Sequence, residues 1–389
     1  MTPPPLPEAH FIDTPQGLHD LIERLCGEPL LAVDTESNSL YVYHERVCLI
    51  QISTRAADFV IDPLALDDLS ALGALMADPG VEKVFHAAEY DIMCLKRDFG
   101  WTFANLFDTM TAARVLGWPQ VGLSSLLAEA FGVTMDKRYQ RANWGARPLP
   151  REQLRYAQMD THYLLPLRDR LADALRWGGH DEEAREMFAE AAALPAAEHR
   201  FDPEGFWRVN GARDLPLEKM ALVRELYLFR ERAARQRDCP PFKVFSDSTL
   251  VRLAAQAPRT LDDLRLACRL SDREVRQYGK GILSALRRGE SGRPPRPPAQ
   301  DMPAPDVLDR YEALRAWRRD RAQARGVESD VIVSRDALWA LARQAPRTLD
   351  ALQHIDGLGP WRRKTYGPEI LEVIRSVPDG RDAPHRKRN

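Results

Sequence analysis

The chain has 389 residues, 44% of them hydrophobic, so it can bury ordinary cores and is long enough for two to four domains at about 100–200 residues each. No apolar run reaches the ~18 residues needed to span a bilayer, and Met1-Thr2-Pro3-Pro4-Pro5 does not open a basic-then-apolar secretion signal; no membrane association and a cytoplasmic location are expected. The net charge of −2 hides an asymmetry: residues 1–210 carry 19 Lys+Arg against 32 Asp+Glu, and residues 211–389 carry 36 against 25.

A basic half joined to an acidic half suits phosphate binding, although a solvated basic face gives the same count. The five cysteines, Cys26, Cys48, Cys94, Cys239 and Cys268, are odd in number and far apart, which argues against a disulfide framework or a Cys-rich zinc site. Buried, reduced thiols are expected.

In the first half, residues 30–34 form an apolar run ending in an acid. Residues 47–53 and 59–62 are short and rich in β-formers, so the three predict an antiparallel meander. Residues 81–86 read as a fourth strand. Helical patterns follow near 88–98, 109–117, 122–131 and 151–174. Together they predict an α/β sandwich with a mixed sheet over residues 1–200.

The second half contains a repeat. Residues 253–264, LAAQAPRTLDDL, recur as 341–352, LARQAPRTLDAL, with ten of twelve positions identical at an offset of 88. The same register pairs Phe229 with Trp317, Ser246 with Ser334 and Tyr278-Gly279 with Tyr366-Gly367, which indicates two copies of one module. Both copies, 211–290 and 306–377, carry helical stripes; Ser246, Ser334, Thr260 and Thr348 stand where N-caps belong. A Pro-rich spacer, 291–305, joins them, and a basic tail, 378–389, is expected to be disordered.

Four acids and a tyrosine carry the chemistry. Asp34 and Glu36 end the first strand, and the two-residue period of a strand puts both on one face. Asp91 follows the fourth strand near a helix start. Tyr156 and Asp160, four apart, share one helical face. Taken singly, each is an ordinary strand end, helix-start acid or exposed pair. Converging, the four carboxylates would repel one another unless a cation relieved them. All-oxygen ligands suit Mg²⁺ or Mn²⁺, and two such ions can activate water for phosphodiester cleavage.

Asp34-Thr-Glu36, His86-Ala-Ala-Glu-Tyr-Asp91 and Tyr156-Ala-Gln-Met-Asp160 resemble the three exonuclease motifs of the DEDD superfamily, in its tyrosine-bearing branch. The repeated modules resemble tandem HRDC domains, helical nucleic-acid binders. One exonuclease domain followed by two HRDC domains is the layout of the bacterial ribonuclease D family, and the resemblance runs from about residue 10 to residue 377.

The resemblance implies a ribonuclease H-like α/β exonuclease domain followed by two all-α modules. It implies two Mg²⁺ or Mn²⁺ ions and 3′→5′ hydrolysis of RNA to nucleoside 5′-monophosphates. RNA with a free 3′ end, notably tRNA precursors, would be the substrate, and no obligatory protein partner is evident. Asp34 would bridge both metals, Glu36 and Asp160 would complete one site, Asp91 would serve the second, and Tyr156 would orient the attacking water.

Other residues are open to two readings. His86 can contact substrate or simply end a strand. Trp144 and Arg147 can hold terminal nucleotides or anchor their loop. Asp108 reads as a helix cap or, by the resemblance, as a residue placed near the site, and His162, two residues beyond Asp160, points elsewhere on its helix. In the second module, Gly357 and Gly359 flank a turn before the basic Arg362 and Lys364, a pattern like the helix-hairpin-helix that holds phosphate on backbone N–H groups. The first module lacks these glycines but carries 17 basic against 11 acidic residues over 211–290; the second is near balance, 13 against 12 over 301–376. The motifs barely speak to the sugar, so a DNA exonuclease is the first rival reading, and a non-catalytic RNA-binding adaptor the second.

Overall fold

The computed structural model describes residues 6–378, apart from 199, 267 and 299–301. The basic tail expected beyond Pro378 lies outside the described residues, as do residues 299–301 of the Pro-rich spacer. In chain order the elements are β1 (His10–Ile12), α1 (Pro15–Leu25), β2 (Leu30–Ser37), β3 (Val47–Ser53), β4 (Asp58–Ile61), α2 (Ser70–Ala77), β5 (Glu82–Phe85), α3 (Glu89–Phe99), β6 (Leu106–Asp108), α4 (Thr109–Val115), α5 (Leu123–Phe131), α6 (Arg151–His162), α7 (Leu164–Gly178) and α8 (Asp181–Ala193). The repeats follow as α9 (Met220–Gln236), α10 (Asp247–Gln256), α11 (Leu261–Leu266) and α12 (Asp272–Ser291), then α13 (Pro305–Arg325), α14 (Ser329–Ile332), α15 (Arg335–Gln344) and α16 (Pro360–Ser376).

The strands form one mixed sheet in the order β1-β4-β3-β2-β5-β6. β3 and β4 are antiparallel, with Ile50 opposite Ile61; β2–β5, β5–β6 and β1–β4 are parallel. The three strands read as a meander are neighbours, as expected. β1 and β6 went unread because three residues are too few to show a period. All seven residues of β3 are buried, the polar Gln51 and Ser53 included. The main core joins Leu31, Val33, Ile50, Ile52 and Val84 of the sheet to Leu72, Leu95, Leu127 and Leu171 of the helices. A smaller cluster of Cys48, Leu49, Val60, Trp144 and Ala157 lies beneath α6.

The single helix expected over 151–174 is two. Pro166 removes an N–H and its ring would clash with the carbonyl four residues back, that of His162, so α6 ends there and α7 restarts after Tyr163. α8, unread in the sequence, begins with Asp181, Glu182 and Glu183, acids that favour a helix N-terminus. Four cysteines are buried and reduced, but Cys26 is exposed, because it stands just past the end of α1.

The repeat persists down to the backbone. Ser246 and Ser334 accept from the N–H of Thr249 (3.2 Å) and Ala337 (3.1 Å), and Thr260 and Thr348 from those of Asp263 (3.1 Å) and Ala351 (3.2 Å). Ala257 and Ala345, each just before a proline, both take left-handed conformations, at φ 46° and 44°.

In space the chain divides differently from the linear modules. One compact unit comprises residues 1–36, 47–197 and 301–389; the other comprises 37–46 and 198–300. Within the first unit the second helical module packs on α4 and α8: Val331 joins the main core, Arg325 pairs with the fully buried Glu183, and Arg114 reaches Glu328 at 3.0 Å. Within the other unit, residues 37–46 are held by α9 and its exit. The Tyr43 hydroxyl bonds Glu231, its N–H donates to Asp238 at 3.0 Å, and the Arg235 guanidinium lies 5.3 Å from its ring centre.

Candidate active site

Three elements bring the acids together. β2 carries Asp34 and Glu36 to its C-terminal end, and α6 supplies Asp160. One ligand oxygen from each of these three lies within 4.8 Å of the others, the one such group among the described residues. Asp91 enters from the first turn of α3 and is itself buried. The hydroxyl of Thr35, between the two acids of β2, donates to Asp91 Oδ1. The turn before α3 is fixed by Asp108, which accepts from the N–H of Ala87 (3.2 Å) and Ala88 (2.7 Å) while capping α4 through Met110 (2.8 Å) and Thr111 (3.0 Å). The sequence shows Asp108 as a cap; its second role, across 20 residues, leaves no local pattern.

The electrostatics match a site built for cations. Burial, followed by the charges of Asp91, Asp160 and Glu36, pushes the Asp34 carboxyl far above its ordinary value. Glu36 is raised to about 9 by burial and then by Asp160 and Asp91. Asp160 rises to about 8 through burial and Asp91. Asp91 rises to about 7 through burial, against the opposing Thr35 hydrogen bond. Four acids that resist ionisation together, offering only oxygen donors, fit a hard divalent cation. Tyr156, one turn before Asp160 on α6, lies between the rings of Tyr139 (6.1 Å) and Trp144 (6.0 Å). Burial and then the carboxylates raise its phenol, so it keeps its proton.

The candidate substrate contacts fare differently. Burial lowers His86 to about 4, so its ring is neutral. The Thr109 hydroxyl donates to the Phe85 carbonyl at 3.0 Å, leaving His86 Nδ1 as donor to Thr109 at 2.9 Å. The imidazole closes a strand end. Trp144 is 1% exposed beneath α6, so it offers no stacking face. Arg147 is fully engaged, by Asp62 (2.5 and 2.7 Å) and by the carbonyls of Cys48 (2.8 Å), Trp144 and Ala146 (2.7 Å each). Both anchor their loop, the second of the two readings open to them.

The glycine turn of the second module has a partner within the chain. Gly357 takes φ 75°, and α16 starts after Gly359, as a phosphate-holding turn would. Its anion, however, is a carboxylate of the same chain. Glu186 of α8 accepts from the N–H of Trp361 (2.6 Å) and Arg362 (3.3 Å), and the Arg362 guanidinium adds bonds to Glu186 (3.1 Å) and Glu190 (2.9 Å). A Cβ at Gly359 would meet the Glu186 carboxylate at 2.1 Å. Of the four residues expected to hold phosphate there, Arg362 is buried and Gly359 half-buried against Glu186, while Gly357 and Lys364 are exposed.

Comparison with known proteins agrees with this geometry. The family model described as 3′-5′ exonuclease matches residues 9–176, and the HRDC domain model matches 219–286 and 307–374. A ribonuclease D of Acidiphilium cryptum is 32% identical over 95% of this chain and 94% of its own length. The chain belongs to the ribonuclease D family. Within that family the crystal structure of Escherichia coli RNase D, titled an exoribonuclease involved in structured RNA processing, superposes with a TM-score of 0.66 at 26% identity, covering 96% of this chain and 100% of that one. The catalytic core of RRP6 from Trypanosoma brucei gives a TM-score of 0.67 at 30% identity, covering 73% and 80%. Among the described residues no helix is long and apolar enough to cross a membrane.

Proposed function

We propose that the chain is a divalent-metal-dependent 3′→5′ exoribonuclease acting on RNA with a free 3′ end, structured RNA and tRNA precursors above all. One observation carries the reading: Asp34, Glu36 and Asp160 converge within 4.8 Å beside Asp91 and a protonated Tyr156. Ribonuclease D relatives over nearly the whole chain support RNA as the polymer, and the Escherichia coli protein's role in structured RNA supports the substrate class.

Asp34, Glu36 and Asp160 would hold one Mg²⁺ or Mn²⁺, and Asp34 with Asp91 a second. Bound there, the cations would supply a nucleophilic water and offset charge on the departing oxygen. The remaining work falls to the chain. Thr35 fixes Oδ1 of Asp91. Tyr156 donates its hydroxyl proton as a hydrogen bond, which orients a water or a phosphate oxygen without giving the proton up. The two neighbouring rings restrict its swing. We assign the RNA backbone to the first helical module, with its 17 basic residues, because the second module's turn already holds Glu186.

The test is a 5′-labelled single-stranded RNA incubated with Mg²⁺, Mn²⁺ or a chelator, beside the matching DNA. The expected result is stepwise shortening from the 3′ end, only with metal and mainly on RNA. Equal shortening of both polymers would keep the chemistry and overturn the RNA assignment; no shortening with folded protein would overturn the enzyme reading.

A further inference from the structure

Tyr156 and Asp160 both reach the site from α6, so the rotation of this helix decides whether the site exists. The apolar part of its packing comes from Ala157, its one fully buried apolar side chain, and from the partly buried Leu154, Tyr156 and Met159. The rest is a polar socket. Asp58, at the start of β4 and 2% exposed, accepts at Oδ2 from Gln158 Nε2 (2.7 Å) and pairs with His162 Nδ1 (2.8 Å). Gln158 also donates to the Pro7 carbonyl at 2.9 Å, and the Thr161 hydroxyl meets Ser53 Oγ of β3 at 2.7 Å. Burial alone would raise the Asp58 carboxyl, yet the hydrogen bonds from His162, Ser53 and Gln158 hold it below its ordinary value.

The spacing is the point. At about 100° per residue, Ala157 and Thr161 form the line facing the sheet, Gln158 and His162 one flank, and Tyr156 and Asp160 the other. Asp58 of β4 thus grips one flank of the helix and Ser53 of β3 its sheet-facing line, and the chemistry hangs on the other flank. Side-chain ends lie ~5–6 Å from a helix axis, so a rotation of about 10° moves the Asp160 carboxylate by roughly 1 Å. A misplacement of that size costs on the order of 100-fold in rate. An apolar interface would tolerate such a rotation, because dispersion contacts have no direction; a carboxylate taking two hydrogen bonds from adjacent turns does not.

We propose that Asp58, with His162 and Gln158 seated on it and Thr161 on Ser53, is a positioning device that sets the rotation of α6 and thereby places Asp160 and Tyr156. This inference rests on the proposed metal chemistry, but it concerns residues that touch neither metal nor substrate.

The test compares full-length Asp58→Asn, His162→Ala and His162→Gln with the parent chain, each first shown to be folded by circular dichroism. Two quantities are read: Mn²⁺ affinity, from the loss of the free-ion EPR signal in the absence of RNA, and kcat and KM on a short single-stranded RNA. Asp58→Asn and His162→Ala are expected to lower kcat 10- to 100-fold with KM within about 2-fold, and to weaken Mn²⁺ binding several-fold. His162→Gln, whose amide can donate to Asp58 in place of Nδ1, should recover most of both. Parental Mn²⁺ affinity and kcat in folded His162→Ala would overturn the proposal, as would a His162→Gln protein no better than the alanine variant. Should Asp58→Asn fail to fold, the two His162 variants still decide. Should the parent chain bind Mn²⁺ but cleave no RNA, the functional reading falls, while the affinities still test the brace.

Discussion

Replacing Glu186 by alanine isolates the link between α8 and the second helical module. The first N–H groups of any helix lack intrahelical partners, so the protection of Trp361 and Arg362 comes from the Glu186 carboxylate, which accepts from both. The pair is buried, with side-chain exposures of 3% for Arg362 and 8% for Glu186, so solvent screening does not discount it. Removing one member of a buried pair costs about 3–5 kcal/mol; here Glu190 stays on the guanidinium at 2.9 Å, which favours the lower end, ~3 kcal/mol. At about 1.4 kcal/mol per factor of ten, amide exchange in residues 361 and 362 should accelerate on the order of 100-fold. Hydrogen exchange followed by mass spectrometry over residues 359–366 measures it, with the core of α7 as an internal standard. Unchanged exchange at α16 would refute the reasoning, since it would mean that something other than this carboxylate satisfies the helix start. Acceleration everywhere, α7 included, would mean a global loss of stability instead.

Two further outcomes follow from the carboxylate cluster. Asp34→Asn should abolish detectable turnover while raising the melting temperature of the chelated protein, because it removes one charge from a mutually repelling group; a lower melting temperature would contradict the repulsion. The pH dependence has a definite sign. Glu36, Asp160 and Asp91 have folded-state values of about 9, 8 and 7, above those of the unfolded chain near 4, so the folded state binds more protons. Their contribution to stability is fully present below about pH 4 and is lost as pH rises through about 7 to 9. Melting in chelator should therefore fall between pH 6 and pH 9, and Mn²⁺ should raise the midpoint more at pH 9 than at pH 6, while an equal effect of Mn²⁺ at both would show that the cluster is not what it neutralises.

What could be read from sequence was whatever is local. A strand's period of two placed Asp34 beside Glu36, and a helix's period of four placed Tyr156 above Asp160. The repeat announced two helical modules together with their serine and threonine caps. Pro166 is equally legible as a helix break, but the apolar spacing that continues across it masks the break. Long-range partners leave no such trace. Asp58 opens a strand, and nothing nearby indicates that His162, 104 residues on, will seat upon it. The glycine turn shows a different limit: backbone N–H groups and an arginine suit a phosphate and a carboxylate alike, so the pattern announces an anion without saying whose.

The two compact units also bear on how such a chain can be shortened or recombined. Read linearly, the modules suggest beads that could be cut apart at residue 197. Spatially, residues 37–46 interrupt the catalytic half and belong to the unit of the first helical module, so the backbone passes from one unit to the other at 36–37, 46–47, 197–198 and 300–301. A fragment ending at 197 would keep Asp34, Glu36, Asp91, Tyr156 and Asp160 yet strand Tyr43 without Glu231, Arg235 and Asp238, one residue range beyond the catalytic strand. The ten residues that follow Glu36 continue the catalytic strand in sequence and yet belong to the unit of the first helical module, so the chemistry and the fold are cut along different lines.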